Sequence, residues 1–540
     1  MGVSHVFEHA TLDGSKKYPS KELFFNLSYQ TYNTYMNAAT YSVMTTYPVA
    51  SLSEAQLLKY ADYYTDSCFN PLIAEDPSLF DEECWRYALD SADGDLTIAG
   101  TVYSEMRGAY TLDSASSFNF LKTLFPGSTI GNCFGGNPAH IPEMSNDDIV
   151  AYHEKYYHPS NSLTCLYGSF EDYTAFLKLL DGYFSQYDKK EIVIEDAGYT
   201  PLTEAAEAVY QYGVEAGSST ENGATVYYGM ILDDATAEEL DQLDLLTTLI
   251  GDGSSVFMQN MKEALPSADV GCYIEITGPE PAVVFYASGV NASDAPLFRE
   301  TVDKSLADIA ENGFDADAVD AVIAALRLDV LLTGEGSSIG TDMIPNIVYY
   351  WAATGDEFGY MHYIDTLDLF DDYAADGTFA KVTGKFLVGN KRTAVAVTEP
   401  EAGLKEAEDD KLAEKLAEIK AGMTDEEIAA LVEKTAAENS DDGEGESADT
   451  AALVKELQAV TVESLPEEAR IYNISDTTEN GVRYVEAEAD VDGIGQALLL
   501  LDASGLKQDQ IHYFKLYTDL LGDLDTTAHT RAQLSSQITR

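Results

Sequence analysis

Helical and strand-like stretches alternate over the first part of this chain, and this alternation limits its fold more than any other feature. Residues 33–51 are rich in β-branched and aromatic residues, as strands are. Residues 53–69 and 145–157 have the apolar spacing of helices, and Ser145 followed by Asp148 is typical of a capped helix start. The pattern therefore predicts a mixed α+β fold.

A second mixed unit follows, from about residue 200 to about residue 400. Its strand-like and helical runs are TVYYGMIL, AEELDQLDLLTTLI, AVVFYASG and ADAVDAVIAALRLDVLL, at residues 225–232, 237–250, 282–289 and 316–332. The chain thus contains two successive α/β units of similar length, although residue identities alone do not relate one unit to the other.

The composition changes after the second unit. Two helical runs at 411–438 are joined by a glycine-containing turn, and Thr424 and Glu427 form a capping box for the second run. The acidic stretch 438–450, which contains Gly and Ser, is typical of a flexible tether. Beyond it, the runs GVRYVEAEA and QALLLLDASG predict the strands of a further unit.

The formal charge of −62 limits the partners of this chain. Nucleic acid is excluded because phosphate binding requires clustered Lys and Arg, and the 31 basic residues are spread along the sequence. The field of so acidic a protein would attract cationic peptides, although solubility alone is an alternative explanation of the charge.

Cysteine usage and hydropathy bear on location. The five cysteines form no CxxC pair and fit free thiols in a reducing compartment. No run of about 18 apolar residues appears, and no signal peptide is visible. We therefore expect no membrane partner and a cytoplasmic location.

The stretch GVSHVFEHATLDGS holds a candidate metal site of the form HxxEH. On a helix, His5 and His9 lie on one face and can present their imidazoles to one point, with Glu8 beside it. Zinc takes such ligands and acidifies a water molecule, whose proton a nearby carboxylate can accept. An ordinary solvated helix face is the alternative. The spacing favours one zinc ion per chain.

Two histidines are too few for a zinc site, so a third ligand must come from elsewhere. The best candidate is Glu105 in GTVYSEMRGAY, a helical stretch otherwise poor in charge. Taken alone, this residue also fits a surface glutamate.

Six stretches, in this order, resemble the pitrilysin and insulinase metallopeptidases, and within them the presequence protease branch. They are GVSHVFEHATLDGSKKYPSKELFF, NTYMNAATYSVMTTYPVAS, GTVYSEMRGAY, the long run from FPGSTIGN to LTCLYGSF, the helical hairpin at 411–438, and LLLLDASGL. The resemblance implies two pitrilysin-type α/β sandwich domains with antiparallel-rich sheets packed by helices, a helical hairpin linker and the start of a third such domain. The implied bounds are 1–195, 196–400, 401–450 and 451–540.

The resemblance also implies roles for individual residues. His5, His9 and Glu105 match the family's zinc ligands, and Glu8 matches its general base. Ser104 stands where relatives often have Asn.

Three further residues match substrate-binding positions of the family. Asn37 and Ala38 match an edge strand whose backbone pairs with an extended substrate, although a plain interior strand is the alternative. Gly271 matches a second edge that holds substrate N-termini.

The implied function is that of a zinc-dependent metalloendopeptidase, which cleaves short unfolded peptides by metal-activated water with Glu8 as general base. Family members carry strands before HxxEH and a C-terminal half that supplies an Arg and a Tyr near the reacting carbonyl. We therefore expect a chain truncated at both ends, whose missing upstream segment would contribute strands behind the HxxEH helix. Two alternatives remain: a peptide- and zinc-binding half with little turnover, or a non-catalytic structural partner.

Overall fold

The computed structural model describes residues 2–194, 198–335, 338–362, 369–440, 448–464, 473–488 and 495–539. Helices predominate in the first of these ranges, and its strands are short. Its helices are α1 (Val3–Leu12), α2 (Leu23–Gln30), α3 (Glu54–Phe69), α4 (Ser78–Glu83), α5 (Thr101–Ala109), α6 (Leu112–Leu124), α7 (Asn146–Tyr156) and α8 (Thr174–Phe184). Its strands are β1 (Tyr35–Met36), β2 (Ala39–Thr40), β3 (Thr45–Thr46), β4 (Val49–Ala50), β5 (Arg86–Ala88) and β6 (Thr97–Ala99).

Helix α1 is held in the core of this first range by its apolar residues. Val6, Phe7 and Ala10 are fully buried. The ring of Phe7 stacks on His153 of α7, with centroids 5.1 Å apart, and meets Tyr157 edge-on at 4.4 Å. Because this packing fixes the rotation of α1 about its axis, it also fixes the direction of the polar side chains that alternate with the apolar ones.

Strands β1 to β4 form one hairpin. β1 pairs with β4 and β2 pairs with β3, all antiparallel, and the turn at the tip is closed by the bond from the Tyr41 N–H to the Met44 carbonyl at 2.8 Å. The hairpin packs beside α1 and α3. It carries the stretch predicted from sequence to be strand.

The second unit is built on one five-stranded sheet. Its strands are β7 (Ala206–Val214), β8 (Ala224–Ile231), β9 (Asp269–Glu275), β10 (Ala282–Val290) and β11 (Thr393–Ala402). The order is β7-β11-β8-β10-β9, with β7 parallel to β11 and the other pairs antiparallel. β8 and β10 are covered on both faces, which explains their almost uninterrupted apolar sequences.

Helices cover both faces of this sheet. The helices that follow in this unit are α9 (Ala237–Gly251), α10 (Val256–Ala264), α11 (Ala295–Asn312), α12 (Ala316–Glu335), α13 (Ile339–Thr354), α14 (Phe370–Asp376) and α15 (Thr378–Val382). One face is packed by helices of the unit itself, through Leu246, Phe257 and Phe298 among others.

The other face is packed by α6, which comes from the first range. Phe120 of α6 stacks on Tyr227 of β8 with ring centroids 5.0 Å apart. A Cβ at position 229 would lie 2.5 Å from the Phe120 ring, so only glycine allows the helix to approach this closely. The two units therefore share one packed interface.

The remaining elements are α16 (Leu404–Ala421), α17 (Asp425–Ser440), α18 (Ala448–Leu457), β12 (Ile474–Glu479), β13 (Val482–Ala487), α19 (Ile511–Asp519) and α20 (Arg531–Thr539). α16 and α17 form the predicted helical hairpin, and Thr424 and Glu427 cap α17 reciprocally. Ion pairs from Arg86 to Glu438 and from Lys434 to Asp81 join this hairpin to the first range.

The mixed α+β architecture predicted from sequence is confirmed, as are the helices at 53–69 and 145–157 and the strands at 225–232 and 282–289. The strand predicted in QALLLLDASG is wrong for residues 495–503, which form no ladder. Leu498, Leu499, Leu500 and Leu501 are each about 80% exposed, so no described segment supplies the partner that a strand needs. Residues 441–447 of the predicted tether lie outside the described residues.

The domain bounds stay predictions. Strand β11 ends at Ala402, close to the predicted end of the second domain at 400. No helix among the described residues is both long enough and apolar enough to cross a bilayer.

Candidate metal centre

Helix α1 carries both histidines of the HxxEH stretch on one face. His5 and His9 are four residues, about one turn, apart, so their side chains project in the same direction. Their rings lie edge to face with centroids 4.9 Å apart. His5 is buried and His9 is half-buried, so both side chains reach one point at the edge of the core.

Helix α5 brings a carboxylate to the same point. Glu105 Oε2 lies 3.7 Å from His5 Nε2 and 3.5 Å from His9 Nε2. One ligand atom from each of the three residues lies within 4.8 Å of the other two. Elsewhere in the described part of the chain, no three His, Cys, Asp or Glu side chains converge in this way. The structure thus brings together the three residues that the sequence predicts as ligands.

The second nitrogen of each ring is held by an acceptor. His5 Nδ1 donates to the carbonyl of Gly135 at 2.9 Å, and His9 Nδ1 donates to Glu83 Oε2 at 3.1 Å. In their neutral forms both rings therefore carry the proton on Nδ1 and present Nε2 as a ligand atom. Two imidazole nitrogens and one carboxylate oxygen are a donor set for zinc, so these residues fit a zinc ion.

The loop that holds His5 packs against the start of α1. Gly2 has a φ of 85°, and a Cβ at this position would lie 2.5 Å from the Cα of Gly136. The Gly136 N–H closes a turn onto the carbonyl of Cys133 at 3.1 Å. The turn predicted at GGNP is therefore present, and its backbone orients His5.

The charges around the site favour a bound cation. Burial of the His9 ring works against its charged form, but hydrogen bonds to Glu105 and Glu83 outweigh burial and raise the pKa of His9 to about 10. The hydrogen bond from His9 holds the pKa of Glu105 below its usual value. Burial, helped by Glu83, raises the pKa of Asp13 well above its usual range. With so many carboxylates close together, positive charge in any form is stabilised here.

Glu8 lies beside this cluster and is held from the hairpin. Its side chain is 8% exposed, and its Oε2 accepts a hydrogen bond from Thr40 Oγ1 at 2.7 Å. Thr40 Oγ1 is itself 3.3 Å from Thr45 Oγ1 on the partner strand. The hairpin therefore fixes the orientation of the predicted base.

The predicted substrate-binding strand lies on the outer side of this hairpin. The Asn37 N–H donates to the carbonyl of Pro48 at 3.2 Å, and the Asn37 carbonyl accepts from Tyr64 Oη at 3.1 Å. In an antiparallel pair the next residue points its backbone groups the other way, so those of Ala38 face outward. Ala38 and Thr40 thus share the edge that lies nearest to Glu8.

Gly271 lies in the other sheet, on the edge strand β9, opposite Tyr286. A Cβ at this position would lie 2.5 Å from Tyr286 Oη, which gives a packing reason for the glycine. Among the described contacts, none joins Gly271 to the metal cluster, and its role in substrate binding stays a prediction.

Sequence reasoning missed three residues that support the site: Thr40, Glu83 and Gly135. Thr40 follows Ala38 by two positions on one strand, and this period-two spacing could have identified it. Glu83 ends an acidic run at 81–83, but only the fold shows that its carboxylate reaches His9. Gly135 contributes a backbone carbonyl, which no sequence pattern marks.

Three family models match the chain in succession. The model described as Insulinase (Peptidase family M16) matches residues 1–111, which include the HxxEH stretch and Glu105. The Peptidase M16 inactive domain matches residues 143–326. The model of the region associated with subfamily C of these peptidases matches residues 398–540.

Curated proteins match over almost all of this chain. Protein HypA of Clostridium perfringens is 25% identical over 99% of this chain and 55% of its own length. Presequence protease 1, chloroplastic/mitochondrial, of Arabidopsis thaliana is 25% identical over 100% of this chain and 51% of its own length. The chain thus spans about half the length of these relatives.

A solved structure supports the fold. The crystal structure of a protease from Helicobacter pylori aligns with 74% of this chain and 90% of its own, at a TM-score of 0.55 and 17% identity. Three consecutive models of one family, the presequence proteases among the relatives and this shared fold lead to one conclusion. The chain belongs to the M16 family of pitrilysin- and insulinase-type peptidases, in the branch of the presequence proteases.

Proposed function

We propose that this protein is a zinc-dependent metalloendopeptidase that hydrolyses short unfolded peptides. The observation that carries the proposal is the convergence of His5, His9 and Glu105 beside the buried carboxylate of Glu8. Three protein ligands with a carboxylate next to them are the arrangement of a catalytic zinc site, whereas a structural zinc site closes all four positions with protein ligands. Membership of the M16 peptidase family supports the same function.

The residues of this chain divide the work of peptide hydrolysis. The chemistry that bound zinc supplies is polarisation of a peptide carbonyl and acidification of water. Since Thr40 donates to Oε2 of Glu8, we assign Oε1 as the atom that accepts a proton from water and returns it to the leaving amine. The outward backbone groups of Ala38 are placed to pair with an extended peptide and to align its scissile bond along the hairpin edge.

Removal of zinc is expected to abolish hydrolysis of an internally quenched peptide, and about one equivalent of zinc per chain is expected to restore it. Elemental analysis of protein purified without chelator gives the stoichiometry, and a titration of the stripped protein gives the recovery of activity. A folded sample that hydrolyses the peptide equally well without metal would contradict the proposal.

Thr40→Val is expected to lower kcat while leaving zinc content and KM nearly unchanged. The substitution keeps the shape of the side chain but removes the hydrogen bond to Glu8, and a bond to a charged group contributes about 1.5–3 kcal/mol, or roughly ten- to a hundredfold in rate. Thr40→Ser retains the hydroxyl and should restore most of the loss. Equal rates for the Val and Ser variants would show that the hydroxyl does not position the base.

Cationic peptides are expected to be the better substrates, and their advantage should shrink as salt rises. The net charge is −62, and acidic side chains such as Glu82 stand close to the site. Charge-steered association can gain about 10–10³-fold in rate, and screening shortens the reach of the field to about 8 Å at physiological ionic strength. The measurement is kcat/KM for one Lys-rich and one neutral peptide from about 0.05 to 0.5 M salt. A parallel response of both peptides would leave solubility as the explanation.

A second candidate function is zinc and peptide binding with slow turnover. One observation favours it: among the described ion pairs, Glu105 and Glu83 contact only histidines, and no Lys or Arg approaches them. Peptide hydrolysis gains from donors that stabilise the oxyanion, and the loss of one costs about 10²–10³ in rate. Zinc and peptide binding without hydrolysis above the level of a base-deficient variant would favour this candidate.

A further inference from the structure

A large uncharged cavity lies beside the hairpin, on the side away from Glu8. Its volume is about 1630 Å³, and its walls include residues 45–51 of the hairpin, the segment 162–168 and helix α13. None of its described lining residues is Asp, Glu, Lys or Arg, in a chain whose net charge is −62. Surfaces with this composition are usually interior ones, so the cavity has the chemistry of a core and not of a solvent-filled cleft.

Two strand edges without partners face this cavity. Residues 45–51 pair with another strand on one side only, and the two ladders of the hairpin are each two-stranded. No backbone hydrogen bond joins residues 163–168 to any described segment. Exposed backbone N–H and C=O groups in an apolar setting are costly, so both edges call for a partner.

The segment 162–168 has the side-chain pattern of a strand. Leu163 and Cys165 are half-buried, whereas Ser162, Thr164 and Leu166 are exposed. An alternation of period two is typical of a strand with one face against a core. The segment is therefore conformed as a strand although no neighbour pairs with it.

The other walls provide surfaces for side chains. Tyr47 and Tyr157 line one wall, with their hydroxyls joined at 2.8 Å. Helix α13 lines another through Ile344, Val348 and Trp351. A strand between the two edges would direct its side chains alternately to these two kinds of wall.

We propose that this cavity is a docking site for one extended, uncharged strand of polypeptide from outside residues 2–539. The strand pairs with residues 45–51 on one side and with residues 163–168 on the other, and so joins them into one sheet. Polypeptide backbone supplies donors and acceptors at the spacing of both edges, and the uncharged lining selects apolar side chains. At about 3.3 Å per residue, a strand of six to eight residues spans about 20–26 Å.

A synthetic peptide tests the proposal with the full chain. The probe is an end-capped peptide of eight alternating valines and threonines between terminal lysines, added in the presence of a chelator so that it is not hydrolysed. Hydrogen exchange of the amides in 45–51 and 163–168 is expected to slow at least about tenfold, while helices α9 and α10 stay unchanged. Protection confined to residues 35–41, or no protection at either edge, would overturn the proposal.

Two modified peptides separate strand pairing from simple apolar binding. N-methylation of the even residues removes the donors to one edge, and N-methylation of the odd residues removes those to the other. A strand inserted between two edges loses protection with both peptides. Full protection by both would mean that an apolar molecule of any kind fills the cavity, and would overturn the proposal.

Val49→Asp places a charge in the lining and is expected to abolish the protection, whereas Val209→Asp, at a position 63% exposed on strand β7, should leave it intact. Equal protection in the two variants would contradict the proposal. Protection of both edges that appears without peptide as the protein concentration rises would assign the cavity to a second copy of the chain, and would contradict it as well.

Discussion

Glu8→Gln is expected to reduce peptide hydrolysis by about 10²–10⁴-fold while zinc binding stays nearly intact. Glutamine keeps the size of the side chain and can still meet the Thr40 hydroxyl, but its amide has no carboxylate oxygen to accept a proton from water. The residue is 8% exposed, so a substitution that conserves its shape should not disturb the core. The measurement is kcat/KM on a quenched peptide beside the zinc content of the same sample.

Glu154→Gln is the matched control for this change. Glu154 is an exposed residue of α7, the helix that packs on α1, and its neutralisation removes one negative charge at similar sequence cost. We expect activity within about twofold of the unmodified protein. Comparable losses in both variants would show that net charge, and not the base, controls the rate.

Glu105→Ala is expected to lower zinc affinity by more than about a hundredfold, because the loss of a partner behind a ligand already costs about 10–100-fold. The substitution removes the carboxylate that lies 3.7 Å from His5 Nε2 and 3.5 Å from His9 Nε2. Competition with a zinc-selective chelator measures the affinity, and hydrolysis should fall with the occupancy of the site.

Ser104→Ala provides the comparison on the same helix. Ser104 is exposed and precedes Glu105, so its change tests the effect of altering α5 without removing a ligand. Zinc affinity should remain within about twofold. A Glu105→Ala protein that binds zinc as tightly as this control would remove Glu105 from the ligand set.

The helices and the central strands could be predicted because their sequences carry local signals. Apolar spacing and reciprocal caps mark α7 and α17, and uninterrupted apolar runs mark β8 and β10. The strand predicted at 496–505 failed for a reason that is not local, since a strand forms only where a partner strand is present. Sequence records the preference for an extended backbone but not the neighbour.

The candidate site was predictable where its residues follow a spacing rule. His5, Glu8 and His9 lie within one stretch and need only a helix to converge. Glu105 lies far along the chain, and its place in the site followed from resemblance. Thr40, Glu83 and Gly135 act through one hydrogen bond each, and such contacts depend on tertiary packing that no short pattern encodes.

The short joint between α5 and α6 gives the second sheet a mechanical hold on the metal centre. Only Tyr110 and Thr111 separate the helix that carries Glu105 from the helix that packs on that sheet, and the Tyr110 carbonyl accepts from Tyr212 Oη of β7 at 2.8 Å. His5 and His9 are positioned by α1 instead. A hinge motion between the two units would therefore open the ligand triangle on one side, and zinc affinity would register that motion as a gauge registers strain.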